Sequence, residues 1–178
     1  TTMTICFHRM SKVFNLRYNT IHINKESHKF SIAHYTIFSA TERERLHGHN
    51  YSVSARLVAP LGSNGFSVDY NFYKNLIKEI CDELDEYMVL AQNSPYQSIA
   101  EDNGDYVVSF NNEEFRFLIS DTLLLPITNV TVEELSYYLL DKLCDDLAKG
   151  GLTEVDICVS SGPGQEASAC WRANATLA

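Results

Sequence analysis

Two histidines separated by a single glycine, His47 and His49, are the residues of this sequence best suited to chemistry. They stand in the stretch ERERLHGHNYS, residues 42–52, which leads into an alternating apolar and polar segment. Side chains at positions i and i+2 of a β-strand point to the same side, so a strand beginning here would project both imidazoles together. The pattern therefore indicates either part of a metal site or an ordinary polar turn before a strand.

A metal site needs more than two ligands, and His34 is the natural third. Catalytic zinc is held by three protein ligands, with imidazole nitrogens about 2.0–2.1 Å from the ion, and keeps a fourth position open. His34 lies in HKFSIAHYTIF, residues 28–38, whose β-branched and aromatic residues predict a strand. If that strand pairs with the one that begins at His47, all three histidines share a face. The alternative is a half-buried strand histidine without a ligand role. The remaining histidines, which we expect to be surface or strand residues, are His8, His22 and His28.

Hydrophobic periodicity predicts a strand and a helix after the histidines. Residues 51–59, YSVSARLVA, alternate in polarity as a half-buried strand does. Residues 69–88 repeat apolar side chains at helical spacing, and they begin with Asp69, a favourable N-cap. The apolar stripe of this predicted helix consists of Phe72, Leu76, Ile77, Ile80, Leu84 and Met88.

The second half of the chain predicts a hairpin, a helix and two strands. Residues 105–119 indicate a β-hairpin with its turn at an Asn-Asn pair. Residues 131–151 indicate a helix that starts with a capping box, TVEE, and ends at a Gly-Gly pair. Residues 154–160 and 167–173 indicate two strands on either side of a loop. The apolar stripe of the second helix consists of Leu135, Tyr138, Leu139, Leu143 and Leu147.

This order of elements predicts an α+β domain, in which an antiparallel sheet carries both helices on one face. The 178 residues are 45% hydrophobic and 21% charged, an ordinary globular composition. We expect one domain over residues 1–178, with an N-terminal extension and first-strand region in residues 1–27. The other face of the sheet needs cover, and self-association is its obvious source, so we expect an oligomer.

Charge and cysteine content exclude several classes of protein. The net charge is −9 and no basic block is long enough to follow a phosphate backbone, which argues against nucleic-acid binding. Apolar runs are too short to span a bilayer, and the first thirty residues lack a signal-peptide pattern. The five cysteines are scattered and form no CxxC pair, which favours free thiols in the cytoplasm. They are Cys6, Cys81, Cys144, Cys158 and Cys170.

Five short motifs occur in a distinctive order along the chain: FSIAH, LHGHNY, VDY, LD and TVE. Their positions are Phe30 to His34, Leu46 to Tyr51, Val68 to Tyr70, Leu84 with Asp85, and Thr131 with Glu133. Together they resemble the 6-pyruvoyl-tetrahydropterin synthase family, which includes the 6-carboxytetrahydropterin synthases of queuosine synthesis. The resemblance extends over nearly the whole chain, and the AH and LHGHNY motifs at this spacing are quite specific.

The resemblance implies the tunnelling fold, a four-stranded antiparallel sheet with two helices, to which this chain would add the hairpin as an insertion. Such chains assemble through their sheets into barrels, typically hexamers, with active sites between subunits. It further implies zinc on His34, His47 and His49, with the ion polarising oxygens of the substrate side chain as a Lewis acid. The expected partners are a pterin-like small molecule and identical subunits, without nucleic acid or membrane.

The position of the catalytic base departs from the usual pattern of that family. A cysteine commonly precedes HGH by a few residues, but the segment here is SATERERLHGH. One branch of the family has a glutamate in a motif resembling R-E-x-L-H-G-H, to which Arg43 and Glu44 correspond. Its typical product is 6-hydroxymethyl-dihydropterin, formed by retro-aldol cleavage and used in folate synthesis. Glu44 suits a general base if burial or a neighbour raises its pKa. The alternative is a solvated charged turn over residues 42–45.

The residues of the proton relay also differ from the usual pattern of that family. The first helix of the family ends in L-D-H, whereas this chain has Asp85 followed by Glu86. An unperturbed glutamate does not change protonation near neutral pH as histidine does, so either the pKa of Glu86 is strongly shifted or the relay is altered or lost. Glu44, Asp85 and Glu86 near one zinc could hold a shared proton, or could form a degenerate surface.

The substrate pocket shows a further departure. The family anchors the pterin with a glutamate in the last strand region, where this chain has Ser161. A hydroxyl cannot accept a bidentate pair of N–H groups as a carboxylate does. Glu166 would substitute if the intervening loop folded back. Thr131 and Glu133 match pocket positions, but they would serve equally as a helix N-cap and a first-turn acid.

These residues lead to one expected function and one alternative. The expected function is a zinc-dependent lyase that acts on 7,8-dihydroneopterin triphosphate or a related pterin. Its expected residues are Glu44, Asp85 and Glu86 for catalysis and Thr131, Glu133 and Ser161 for substrate binding. The alternative is a diverged paralogue on the same zinc scaffold, either an enzyme with a different substrate or a non-catalytic ligand-binding oligomer. The intact ligands favour an enzyme, and the missing relay and anchor favour divergence.

Overall fold

The computed structural model describes residues 16–147 and 150–173, without the side chains of residues 144–147. Residues 1–15 of the predicted N-terminal region, which include His8, lie outside the described residues. The strands are β1 Tyr18–His34, β2 His47–Pro60, β3 Tyr87–Ala91, β4 Ser98–Asp102, β5 Asp105–Phe110, β6 Glu113–Leu118, β7 Thr122–Leu125, β8 Glu154–Gly162 and β9 Gln165–Arg172. The helices are α1 Tyr70–Leu84 and α2 Val132–Leu147. Neither helix of the described chain has the length and apolar character that crossing a bilayer requires.

Six strands form the main sheet in the order β7-β3-β1-β2-β8-β9. The strands β1, β2, β8 and β9 are antiparallel neighbours, which confirms the predicted four-stranded core. The strands β3 and β7 extend this core on the β1 side in parallel orientation, so the complete sheet is mixed rather than purely antiparallel. Strand β1 begins at Tyr18, ten residues before the segment whose composition predicted it.

Both helices pack on one face of this sheet and share its main hydrophobic core. Asp69 caps α1 as predicted, and its Oδ1 accepts a hydrogen bond from the Asn71 N–H at 3.0 Å. The predicted stripe was wrong at Phe72, which is 47% exposed, whereas the neighbouring Tyr73 is buried. The buried residues of α1 are Tyr73, Ile77, Ile80, Cys81 and Leu84.

The first helix ends at Leu84 rather than at the predicted residue 88. Glu86 adopts a positive φ of 67°, a left-handed conformation that a helix interior does not accept. Met88 belongs to β3, which alternates its side chains between two apolar clusters and is therefore buried on both faces. A strand buried on both faces lacks the alternating polarity of a half-buried strand, and its short apolar run resembles a helix turn.

The second helix begins as predicted, with one difference in its cap. The Thr131 hydroxyl accepts a hydrogen bond from the Glu134 N–H at 3.3 Å, which is one half of the capping box. The Glu134 carboxylate accepts from the Thr128 N–H at 2.9 Å, whereas a capping box would return that bond to the N-cap residue. Gly151, with a φ of 71°, follows the helix near its predicted end. The predicted residues Leu135, Leu139 and Leu143 are buried, and the Leu147 side chain lies outside the described set.

The inserted sheet consists of β4, β5 and β6, so the predicted hairpin is two strands of a three-stranded antiparallel sheet. The predicted turn is confirmed, because Asn111 and Asn112 have φ angles of 46° and 62°, as a two-residue type I′ loop requires. Val108 and Phe110 of this sheet pack into a second apolar cluster. This cluster lies against β3, on the face of the main sheet opposite the helices.

We expected His28 to be a surface residue or a strand residue. It is a strand residue, but it does not lie at the surface. It lies in β1 where the pairing with β2 shifts register, and it is only 2% exposed. Its Nδ1 has no hydrogen-bond partner among the described residues. Burial lowers the pKa of His28 below its ordinary value. His22, by contrast, is an exposed strand residue as expected.

Candidate active site

The pairing of β1 with β2 gathers the three predicted metal ligands. His34 stands directly opposite His47 and Ile32 directly opposite His49. Cross-strand partners and residues two apart on one strand share a face, so all three imidazoles project from the same side of the sheet. Their ligand nitrogens lie within 4.8 Å of one another, a group that could hold a metal ion.

Neighbouring groups orient two of these imidazoles. His47 Nδ1 lies 2.7 Å from the Arg45 carbonyl oxygen, to which it donates as an N–H, so Nε2 is the ring nitrogen that remains for a metal ion. The Tyr51 hydroxyl lies 3.1 Å from His34 Nε2. His34 Nδ1 is buried without a hydrogen-bond partner among the described residues. A buried imidazole nitrogen without a partner is costly in an ordinary core and fits a ligand site.

The electrostatics of the cluster also fit a metal. Burial, followed by the neighbouring His47 and His49, lowers the pKa of His34 to about 4. His34 is therefore neutral at pH 7, and the neutral imidazole is the form that binds metal ions. Three imidazole nitrogens are an appropriate set of donors for zinc, with a further position left for substrate.

Glu44 is fixed beside this cluster by the backbone of Thr36. The Thr36 N–H donates to Glu44 Oε2 at 3.1 Å, and the Glu44 N–H donates to the Thr36 carbonyl at 2.8 Å. The same carboxylate oxygen lies 3.9 Å from His47 Nε2. Glu44 is therefore not part of a fully solvated charged turn, although its side chain keeps 37% exposure.

The protonation of Glu44 differs from the expectation. Burial raises the pKa of Glu44, but hydrogen bonds from Thr36 and the proximity of His47 and His34 outweigh burial and lower it overall. The sequence-based condition for a base, a pKa raised towards neutrality, is not met. Glu44 is instead ionised at neutral pH, which is the form that accepts a proton.

One cavity of about 200 Å³ brings most of the predicted site residues together. It is lined by His34, His49 and Glu44 and also by Thr131, Glu133 and Ser161, the three predicted substrate-binding residues. Thr131 and Glu133 reach it from the start of α2 and Ser161 from β8. The cavity thus combines a cluster of metal-binding nitrogens, a fixed carboxylate and several hydrogen-bonding side chains.

Three polar residues that line the cavity were missed as site residues by the sequence analysis: Thr36, Tyr51 and Gln165. Tyr51 is two residues beyond His49 on the same strand, so the period of two could have found it. Gln165 starts β9 after a tight turn, where no local pattern marks it. The Ser161 hydroxyl donates to Gln165 Oε1 at 3.4 Å.

Glu166 does not take the place of the missing anchor carboxylate. It follows Gln165 on β9, and successive strand residues point to opposite faces. Glu166 lines a separate cavity with Arg56 and Asp156. The suggestion that the loop folds Glu166 back into the pocket is therefore wrong, and Gln165 occupies the position facing Ser161.

Asp85 and Glu86 are not gathered with Glu44 within one chain. Asp85 is the C-cap residue of α1, and its Oδ1 accepts from the Ser31 N–H at 2.7 Å. Glu86 lines another cavity, of about 540 Å³, together with Ser31, Asn50 and His49, and it is absent from the cavity that holds Glu44. Ser31 and Asn50 are cross-strand partners that alternate with the histidines, so their side chains lie on the opposite face of the sheet.

The comparisons agree on one family. The family model described as 6-pyruvoyl tetrahydropterin synthase matches residues 22–169. A Methanocaldococcus jannaschii protein named "Putative 6-carboxy-5,6,7,8-tetrahydropterin synthase" is 30% identical over 148 residues, which cover 81% of this chain and 89% of that protein.

Solved structures agree with this assignment. The crystal structure of 6-pyruvoyl tetrahydropterin synthase from Plasmodium vivax has a TM-score of 0.83 at 27% identity, covering 88% of this chain and 99% of that one. A structure of the same protein described as a glutamate-to-cysteine mutant of a catalytic residue has a TM-score of 0.82 at 26% identity, with the same coverage. The expected tunnelling fold is confirmed, and the chain belongs to the 6-pyruvoyl tetrahydropterin synthase family.

Proposed function

We propose that this protein is a zinc-dependent pterin lyase, which converts 7,8-dihydroneopterin triphosphate or a related pterin to 6-hydroxymethyl-dihydropterin. One observation carries the proposal: the Glu44 carboxylate is held beside three clustered histidines, inside a cavity lined by the predicted substrate-binding residues. Family membership and the pterin synthase names of the relatives support the class of substrate.

The proposed zinc ligands are His34, His47 and His49. Bound there, zinc would supply Lewis-acid polarisation of oxygens on the substrate side chain. Tyr51 and the Arg45 carbonyl hold two of the imidazoles in orientation, as outer-shell partners of metal ligands commonly do.

Glu44 is the proposed base. It takes the proton from the hydroxyl on the second side-chain carbon, while the bond between the first and second carbons breaks. The second carbon leaves as an aldehyde on the triphosphate-bearing fragment. The electron pair of the broken bond passes to the first carbon and the conjugated ring. The proton held by Glu44 then returns to the first carbon, which completes the hydroxymethyl group.

Three observations support this role for Glu44. Its lowered pKa keeps it ionised, and Thr36 holds it close to the histidines rather than in solvent. The Plasmodium vivax relative has a catalytic residue whose described mutant replaces glutamate by cysteine. We propose Glu44 as the counterpart of that glutamate, since it is fixed next to the ligand cluster.

The pterin ring is proposed to bind at the opposite side of the cavity from Glu44. The Glu133 carboxylate accepts ring N–H groups, and the hydroxyls of Thr131 and Ser161 together with the Gln165 amide supply further donors and acceptors. These groups distinguish a flat polar ring from an aliphatic substrate, because a ring that leaves them unpaired would lose binding energy.

Asp85 and Glu86 belong to this proposal only through assembly. On one chain neither of them lines the cavity that holds Glu44 and His34, so a relay role needs a neighbouring copy to carry them to the site. We therefore propose a homo-oligomer, with a hexamer as the expected size and active sites between subunits.

The decisive experiment incubates the zinc-loaded protein with 7,8-dihydroneopterin triphosphate and identifies the products by mass spectrometry. Glu44→Ala is tested alongside Glu42→Ala, which removes an exposed carboxylate two residues away. We expect 6-hydroxymethyl-dihydropterin from wild type and Glu42→Ala, and a loss of about 10²- to 10⁴-fold in Glu44→Ala. No turnover by wild-type protein with bound zinc would contradict the proposal.

A second candidate is an enzyme on the same scaffold with a different ring as substrate. The neutral Ser161 and Gln165 favour it, because their hydroxyl and amide recognise a mixed donor and acceptor edge rather than two N–H donors. Turnover of another pterin-like compound, without turnover of 7,8-dihydroneopterin triphosphate, would support this candidate. Zinc and pterin binding without any turnover would support a non-catalytic paralogue.

A further inference from the structure

Arg43, the residue before the proposed base, is enclosed by aromatic rings. Its guanidinium carbon lies 4.4 Å from the ring centroid of Phe115, 5.4 Å from that of Tyr35 and 5.8 Å from that of Phe110. Phe110 and Phe115 belong to β5 and β6 of the inserted sheet. The Arg43 side chain is only 17% exposed, so cation–π attraction acts there with little screening by water.

The polar contacts of Arg43 fix its planar head from two sides. Its Nη1 donates to the Glu44 carbonyl at 2.8 Å, and its Nη2 donates to Glu113 Oε2 at 3.1 Å. Its Nε is buried and has no hydrogen-bond partner among the described residues. A guanidinium that is this desolvated is held by its surroundings and does not sample solvent freely.

The loop that carries Arg43 folds back against the end of β1. Ile37 and Arg43 form an isolated antiparallel bridge, and the Phe38 N–H donates to the Glu42 carbonyl at 2.9 Å. The next pair inward is Thr36 with Glu44. Successive residues of an extended backbone point to opposite sides, so Arg43 faces the inserted sheet while Glu44 faces the cavity with the histidines.

The charge of Arg43 explains its relation to Glu44 less well than its hydrogen bond to the Glu44 backbone does. The Arg43 guanidinium is paired with Glu113, which offsets its charge. The pKa of Glu44 follows burial, the Thr36 hydrogen bonds and the two nearby histidines. What Arg43 contributes to Glu44 is a hydrogen bond to its carbonyl, which fixes the backbone from which the carboxylate projects.

We propose that Arg43 is the positioning residue of Glu44, and that the inserted sheet serves catalysis by clamping the Arg43 guanidinium. This inference rests on the proposed function, in which Glu44 is the base. Arg43 does not touch the reacting atoms. It sets the distance between the carboxylate and the substrate through the backbone.

Steady-state kinetics with 7,8-dihydroneopterin triphosphate test the inference in Arg43→Met and Arg43→Lys. Arg116→Met is the matched control, because Arg116 lies on β6 next to Phe115 but on an exposed site, paired with Asp102 at 3.0 Å. We expect kcat to fall by about 10²-fold in both Arg43 variants, with KM and zinc content unchanged, since a misplacement of about 1 Å has such an effect. Lysine cannot replace Arg43, because it lacks the planar guanidinium group and cannot stack on the aromatic rings as arginine does.

Chemical rescue separates positioning from general damage to the fold. We expect methylguanidinium, at concentrations far below those that denature, to restore part of kcat in Arg43→Ala but none in Glu44→Ala. A kcat of Arg43→Met equal to that of Arg116→Met would overturn the inference. So would a loss in Arg43→Met that comes from KM or zinc content alone.

Amide hydrogen exchange keeps the inference testable if the proposed function fails. If wild-type protein has no turnover, the lyase proposal fails by itself, and exchange over residues 36–45 then decides the role of Arg43. Faster exchange there in Arg43→Met but not in Arg116→Met would support the clamp. Equal exchange in the two variants would overturn it.

Discussion

Thr36 and Glu44 are joined by two hydrogen bonds, one between their backbones and one from the Thr36 N–H to the Glu44 carboxylate. The second bond uses a donor that β1 leaves free just beyond its end at His34. It directs the carboxylate to within 3.9 Å of His47 Nε2. Although Glu44 stands in a charged stretch of the sequence, its carboxylate is therefore held in a fixed position at the edge of the histidine cluster.

The first prediction concerns Glu44→Gln. Glutamine is isosteric with glutamate and can still accept the Thr36 N–H through its amide oxygen, but it cannot take up a proton at neutral pH. We expect zinc content and Tm to remain near wild type, while kcat falls by about 10²- to 10⁴-fold. Metal analysis, thermal unfolding and product assays check the three expectations. Substantial turnover by this variant would exclude Glu44 as the base.

The histidine cluster was predictable because its geometry follows from local rules. Two residues separated by one position on a strand share a face, and a neighbouring strand rich in β-branched and aromatic residues supplied His34. The Asp69 cap and the Asn-Asn turn were predictable for the same reason, since each depends on a few consecutive residues. The antiparallel core was expected from the order of the elements and from the family resemblance.

The rest depends on contacts between distant segments. Gln165 reaches the cavity through the pairing of β8 with β9, and nothing in its local sequence distinguishes it from Glu166. Strand β3 resembled the tail of a helix because it is buried on both faces, which only the position of the inserted sheet explains. The lowered pKa of Glu44 was also beyond prediction, because Thr36 sets it from eight residues away.

The second prediction concerns the proposed metal ligands. Replacement of His34, His47 or His49 by alanine removes one of three nitrogen donors, and we expect each variant to lose bound zinc. His22→Ala is the control, because His22 is an exposed histidine of the same strand as His34. Zinc per chain, measured by elemental analysis after dialysis, checks the expectation. Full zinc content in any of the three variants would remove that histidine from the ligand set.

The third prediction concerns the pH dependence of stability. Burial lowers the pKa of His28 in the folded protein, whereas the unfolded chain has the ordinary value of 6.5. Between these two pKa values the unfolded state binds more protons, so the stabilisation is complete above 6.5 and is lost as pH falls towards the folded pKa.

The matching variant is His28→Gln, which does not titrate in this range. In urea unfolding of metal-free protein, we expect wild type to lose more free energy of unfolding than His28→Gln as pH falls below 6.5. The difference amounts to about 1.4 kcal/mol for each unit that separates the two pKa values. Parallel pH profiles for the two proteins would show that His28 is not buried in its neutral form.

The fourth prediction uses the adjacent residues Gln165 and Glu166, which lie on opposite faces of β9. Gln165 lines the cavity beside Ser161, and removal of its amide would leave a polar edge of the bound ring without a partner. We expect Gln165→Ala to raise KM by about 5- to 100-fold, which corresponds to about 1–3 kcal/mol, with little change in kcat. Glu166→Ala should leave KM unchanged, because its carboxylate lies in the separate cavity with Arg56. A larger effect on KM from Glu166→Ala than from Gln165→Ala would mean that the ring binds on the other face of the sheet, and the assignment of Thr131, Glu133 and Ser161 to the pocket would fail with it.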